Sequence, residues 1–229
     1  MAEEIIRFRS IGEEESIAES HIREQLRNIA RKLEEEVREL LFVVRDLDEG
    51  KVVAVEKRYG RVRNMKDSIE TDSVSLMEYL IKTSPALTLK DVYANIVQDV
   101  VRVAEHTEAA AYRSLLLSRG EFERMPDNIY VVLDETLRKI LNMVGIVGSM
   151  VEKLGSQERL LREYYIELLK LENSVDEFYR EAGIQVIKYY SNRDIGALIL
   201  VKELFDKLED AADMLKRVGT YIRYASISR

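Results

Sequence analysis

The sequence predicts an all-α fold: six long helices arranged as two pseudo-repeated antiparallel three-helix bundles, packed as one domain. Three observations predict it. Glu, Lys, Arg, Leu, Ala and Val dominate a chain of 229 residues that holds two prolines and ten glycines, a mix that favours long helices with ionic surfaces. Apolar residues recur at steps of three and four along most of the chain, which is the period of one buried helical face. Turn signals interrupt those stripes at regular intervals, and Pro126 divides the chain into two stretches of similar length.

The first half is assigned to residues 16–120, preceded by an N-terminal arm over 1–15 that contains a weak strand signal at Glu4 to Arg9. A first helix starts near Ser16 and buries Ile22, Leu26, Ile29, Leu33, Val37, Leu40 and Val44. Asp48-Glu49-Gly50 breaks it. A second helix runs from about Lys51 to Lys82 and stops at Thr83-Ser84-Pro85, since proline cannot continue a helix and restricts the residue before it. Thr88 with Asp91 has the spacing of a capping box for a third helix, which carries Val92, Ile96, Val100 and Val103 and ends near Gly120.

The second half, 127–226, repeats the plan. A fourth helix spans about Asp127 to Leu154, closed by Gly155, with Ser156 placed to cap the next. Gly145 and Gly148, inside this helix, are expected to permit close helix packing. The fifth helix covers about Gln157 to Tyr190 and carries Leu161, Tyr164, Leu168, Leu171, Val175, Phe178 and Ala182 on one face. Ser191 with Asp194 offers a second capping box before a sixth helix bearing Leu198, Val201, Leu204, Leu208, Ala211, Leu215, Val218 and Ile222. Short connections favour antiparallel neighbours.

Bulk properties exclude several classes of function. A net charge of −7 opposes binding to a phosphate backbone, so no nucleic-acid partner is expected. The absence of cysteine removes disulfides, thiolate metal sites and thiol catalysis. Glu3 and Glu4 and the lack of an apolar stretch argue against a secretory signal. The most apolar run, Ile140 to Val151, is little over half of the ~20 residues a spanning helix needs. A cytoplasmic protein is therefore expected. The two histidines, His21 and His106, do not follow a glutamate by three residues, so the Glu-x-x-His pattern of di-iron bundles is missing. They read as packing or surface residues, and no enzymatic activity is expected.

What remains is acidic. Glu209 and Asp213 stand at i and i+4 on the sixth helix, each one residue after a stripe residue, Leu208 and Ala212. Glu172 and Asp176 on the fifth helix have the same spacing and the same phase, after Leu171 and Val175. Like charges so placed destabilise a helix by about 0.2–0.5 kcal/mol per pair, a cost that a bound cation reverses. Oxygen ligands alone suit hard cations such as Mg, Ca or Mn, with iron also allowed. A solvated, salt-bridged face is the other reading of the same residues, because a third of the chain is charged.

Two three-helix halves with Leu208-Glu209-Asp210-Ala211-Ala212-Asp213-Met214-Leu215 on the last helix, and Leu171-Glu172-Asn173-Ser174-Val175-Asp176-Glu177 on the one before, resemble the PhoU-like phosphate-transport regulators. The resemblance extends over about residues 16 to 225, and the variety it most resembles is the short accessory protein of a Pit transporter. It implies a divalent or trivalent metal, bound in clusters on the bundle surface with Glu172, Asp176, Glu209 and Asp213 as ligands. It also implies a regulator that acts peripherally on a membrane phosphate transporter or on its regulatory apparatus. A homodimer is expected from helices this long. Shifting the halves by about 106 to 108 residues sets Glu70 against Asp176 and Glu105 against Asp213. Lys66 and Val101 then stand where Glu172 and Glu209 do, which leaves Glu70 and Glu105 as a half-site. The alternative to this regulator is a helical scaffold or oligomerisation protein without a metal site.

Overall fold

Helices form where the apolar spacing places them. The computed structural model describes residues 17–83, 87–154 and 157–227. Six helices follow in order: α1 (Ile17–Asp48), α2 (Val52–Thr83), α3 (Lys90–Arg119), α4 (Asp127–Lys153), α5 (Glu158–Tyr190) and α6 (Ile195–Ile227). The predicted strand signal at 4–9, the Ser84-Pro85 stop, and Gly155 and Ser156 lie outside the described residues.

The helix ends show which turn chemistry operates. Gly50 closes α1 with φ +71°, a left-handed conformation that glycine adopts without the steric cost of a Cβ. Neither capping box forms as expected. The residue before α3 is Leu89, which makes no side-chain cap bond, so Thr88 and Asp91 do not pair around it. Before α6 the cap is Asp194 itself: its Oδ1 accepts from the Ala197 amide at 2.9 Å and its Oδ2 from the Glu123 amide at 2.8 Å. Those two amides hold its carboxyl below the usual carboxylate range. A shorter cap won because Asp194 also ties the linker between the halves to the start of α6.

Each half is a three-helix bundle in which all three helices touch, and the halves meet through α1 against α4 and α3 against α6. The helices therefore form an inner group of four with α2 and α5 outside. The burial pattern follows. Inner α1 buries twelve residues, whereas outer α2 of equal length buries only six. Four of those six are Val55, Val62, Ile69 and Leu76, one every seventh residue. That is the seam of a helix touching its neighbours along one edge. In α5, Leu161, Leu168, Val175 and Ala182 repeat the seam, each 106 positions later. The buried faces of α1 and α4 superpose at an offset of 107, for example Ile22 with Ile129 and Val37 with Val144. Those of α3 and α6 superpose at 108, for example Tyr93 with Val201 and Ala111 with Gly219. The repeat is thus carried by core positions more than by residue identity. Each fully buried Leu or Ile in these seams stabilises by about 1.5–3 kcal/mol.

The two glycines of α4 also depart from expectation. A Cβ at Gly145 or Gly148 would meet nothing within 4 Å, so neither glycine serves close packing; both border a surface depression shared with Arg27 and Glu152. Close approach occurs elsewhere. A Cβ at Gly219 would stand 2.3 Å from Leu168 Cδ2, so this glycine lets α6 lie against α5.

Candidate functional site

Because α5 and α6 are antiparallel neighbours whose stripes face the same core, carboxylates one residue past each stripe fall on the edge where the two helices meet. The structure brings them together there. Glu172 is buried, with 6% of its surface exposed, while Asp176, Glu209 and Asp213 are half-buried along the seam. The ammonium of Lys216 bridges the helices: it donates to Glu172 and, at 3.0 Å, to Asp213 Oδ1. Burial pulls the Lys216 pKa down, but these two carboxylates more than offset it and hold the amine above its ordinary value.

The surrounding acids are also partnered. Asp176 accepts from Arg180 at 3.1 Å. Asp206 accepts from the Tyr179 hydroxyl at 2.9 Å and from Lys202 at 2.8 Å. Asp210 pairs with Lys207 at 2.6 Å and has His106 Nδ1 from α3 at 3.6 Å. Burial lowers the affinity of His106 for a proton, with Asp210 opposing. Among the described residues, Glu209 takes no ion pair. Its pKa is raised, first by burial and then by Asp213, Asp210, Asp176 and Asp206. Glu209 is thus the one seam carboxylate left without a counter-charge, in a field made by acids from both helices.

The first half is arranged differently. Lys66 donates to Glu70 at 3.0 Å and lies 3.0 Å from Asp67, so Glu70 is already neutralised. Glu105 is exposed. Glu108, at the position equivalent to Lys216, accepts from the Tyr59 hydroxyl at 2.7 Å; burial first, and then this bond, push that phenol up to about 12. Charge signs are therefore exchanged between halves: Lys66 and Glu108 stand where Glu172 and Lys216 stand in the second.

Sequence reasoning missed Glu36. It is fully buried in α1, and neither carboxylate oxygen has a hydrogen-bond partner. Burial, then Glu108, raises its pKa well above the ordinary value, with Lys66 opposing. Its signal was present, because Ile29, Leu33, Glu36 and Leu40 step by four, three and four, and the 107-position offset sets Glu36 against buried Met143. The run Glu34-Glu35-Glu36 masked it as a solvated stretch.

The donor chemistry of the α5–α6 seam fits a hard cation, since all its acidic groups are carboxylates. Yet among the described residues no three His, Asp or Glu are gathered closely enough to hold a metal ion. Lys216 occupies the place between the helices where positive charge is needed. No described helix is long and apolar enough to cross a membrane.

The molecule is thus defined by class as a two-repeat, six-helix protein with an acidic edge on its last two helices. No family model matches the sequence, and no curated protein matches it. Solved structures do. PhoU from Pseudomonas aeruginosa is similar with a TM-score of 0.70 at 16% identity, over 92% of this chain and 97% of that one. A PhoU-like protein from Shewanella oneidensis MR-1 gives 0.68 at 13% identity, over 91% and 100%. The phosphate transport system regulatory protein PhoU from Streptococcus pneumoniae gives 0.57 at 12%, over 92% and 96%. The chain has the PhoU-like fold, along nearly its whole length.

Proposed function

We propose that this protein is a regulator of inorganic phosphate transport, acting without enzymatic activity as a cytoplasmic accessory protein of a membrane transporter. The reading is supported by the PhoU-like fold together with one observation: Glu209, which takes no ion pair among the described residues, sits in the field of Asp206, Asp210 and Asp213 of its own helix and of Asp176 across the α5–α6 seam. Glu172, Asp176, Glu209 and Asp213 would hold a hard metal ion, which would supply the counter-charge that Glu209 lacks. Lys216 would then have to give up Glu172 and Asp213. A Pit-type transporter is the proposed partner, approached peripherally, and a homodimer is the proposed assembly.

Metal content of the purified protein, compared with a Glu209→Ala/Asp213→Ala variant, tests the site; equal content in both removes it. Affinity capture from native membranes tests the role, with co-purification of a phosphate transporter expected. A second reading, a helical scaffold with a solvated acidic edge, is favoured by the lysines and arginines that neutralise Glu172, Asp176, Asp206, Asp210 and Asp213. It predicts no bound metal and no transporter.

A further inference from the structure

At the end of the bundle opposite the start of α1, the two halves are joined by the linker 121–126. There the tip of α1, the last turns of α3 and the ends of α4, α5 and α6 enclose a cavity of about 260 Å³. Its walls are mainly apolar, including Val44, Leu47, Leu117, Leu133 and Val201, with Phe122 of the linker across them. Phe122 is seated tightly: a Cβ at Gly120 would fall 2.1 Å from its ring and one at Gly196 2.6 Å. Exposed Gly50, Val52 and Gly120 also border the cavity, so it reaches the surface.

Its polar side chains are already partnered, Tyr130 by Arg45 among them, with one exception. Asp48 is paired with Arg124 at 3.1 Å. Glu123 accepts from the Tyr189 hydroxyl and from Arg193, both at 3.0 Å. Ser118 donates to the Leu115 carbonyl at 2.8 Å. Tyr190 is fully buried, and its hydroxyl has no hydrogen-bond partner. An unsatisfied buried hydroxyl costs about 1–3 kcal/mol, and buried polar groups are nearly always paired. An apolar cavity with an unsatisfied buried hydroxyl among its lining residues has the form of a small-molecule site.

We infer that this junction binds a small, neutral, mainly apolar molecule whose single acceptor, a carbonyl or ether oxygen, takes the Tyr190 proton. Ions are disfavoured, since Asp48, Arg124 and Glu123 have their counter-charges and no charged group is left to pair with one. The volume limits the ligand to less than drug size. Val201, the α6 residue in the wall, lies about two turns before Glu209, so the site is separate from the acidic seam and its test is independent of any metal.

Benzylacetone, an aryl ketone of suitable size, is the probe, titrated into the full chain by calorimetry beside butylbenzene, which lacks the acceptor. The expected result is saturable one-site binding of the ketone. Val52→Phe, at the partly exposed rim, should abolish it. Tyr190→Phe should weaken the ketone about tenfold, the loss of one hydrogen bond, and leave butylbenzene unchanged. Tyr190→Phe should also melt no lower than wild type, because it removes an unpaired hydroxyl. Absence of saturable binding to wild type overturns the site and leaves water as the only partner of Tyr190. Equal binding of the ketone to wild type and Tyr190→Phe overturns the assigned hydrogen bond.

Discussion

Lys216→Met isolates the electrostatics of the α5–α6 seam. Methionine keeps the aliphatic stem and removes the charge. Glu172, with 7% of its side chain exposed, then loses its only ion pair among the described residues, and Asp213 loses its own. Truncating one partner of a buried pair costs about 3–5 kcal/mol. The Lys216 side chain is 33% exposed, and water screening at that end reduces the expected loss to about 2–3 kcal/mol. For a chain of this size that is a fall in Tm of roughly 4–12 °C. The assay is thermal unfolding followed by circular dichroism, in chelator and then with added manganese. If the ammonium stands in for a bound cation, manganese should raise the Tm of the variant more than that of wild type, because no amine must be displaced. At one hundred times Kd the ion would restore about 2.7 kcal/mol. A variant that melts with wild type in chelator refutes the pairing. A manganese response no larger than that of wild type refutes the competition.

Further outcomes are expected elsewhere. Glu36→Met, the residue found at the equivalent place in α4, should stabilise the protein by about 1–3 kcal/mol at neutral pH, measured by urea unfolding. A carboxyl with a raised folded pKa stabilises fully below its unfolded value of about 4.3 and loses that contribution as pH rises through the folded value, so the gain should shrink in acid to what the unpaired, protonated carboxyl still costs. Glu209→Gln should show the same sign, more stable than wild type at neutral pH and equal to it in acid, in the absence of metal. Gly148→Ala should add about 0.5–1 kcal/mol, since the site is open and helical. Gly219→Ala should instead destabilise, because overpacking against Leu168 costs about 1–3 kcal/mol and outweighs the helix gain; equal effects of the two substitutions in thermal melts would contradict the packing described.

The fold was legible because long helices write their buried face directly into the spacing of apolar residues. Val55, Val62, Ile69 and Leu76 mark one edge however the rest of α2 varies. The carboxylates of the seam were legible for the same reason: a residue one step past a stripe must border it. Their partners were not. Lys216 lies 44 positions from Glu172, and only the antiparallel register of α5 and α6 brings the two together. Glu36 was hidden by its acidic neighbours, whose charge outweighed its phase. Tyr190 read as the end of a helix, and nothing in the spacing shows that its buried hydroxyl is left without a partner. The glycines misled because their spacing says nothing about whether another helix is present beside them.

The three offsets between the halves, 107, 106 and 108, have an evolutionary reading. Between matched core positions the spacing is unchanged within each helix and differs only across the bends, although few core side chains remain the same. A residue added inside a helix would turn everything beyond it by about 100° around the axis and carry the apolar edge into water. A residue added at a bend leaves both rods in phase. Single-residue insertions should therefore be accepted at the bends and rejected within α2 or α5, whose one narrow edge leaves no second face to bury.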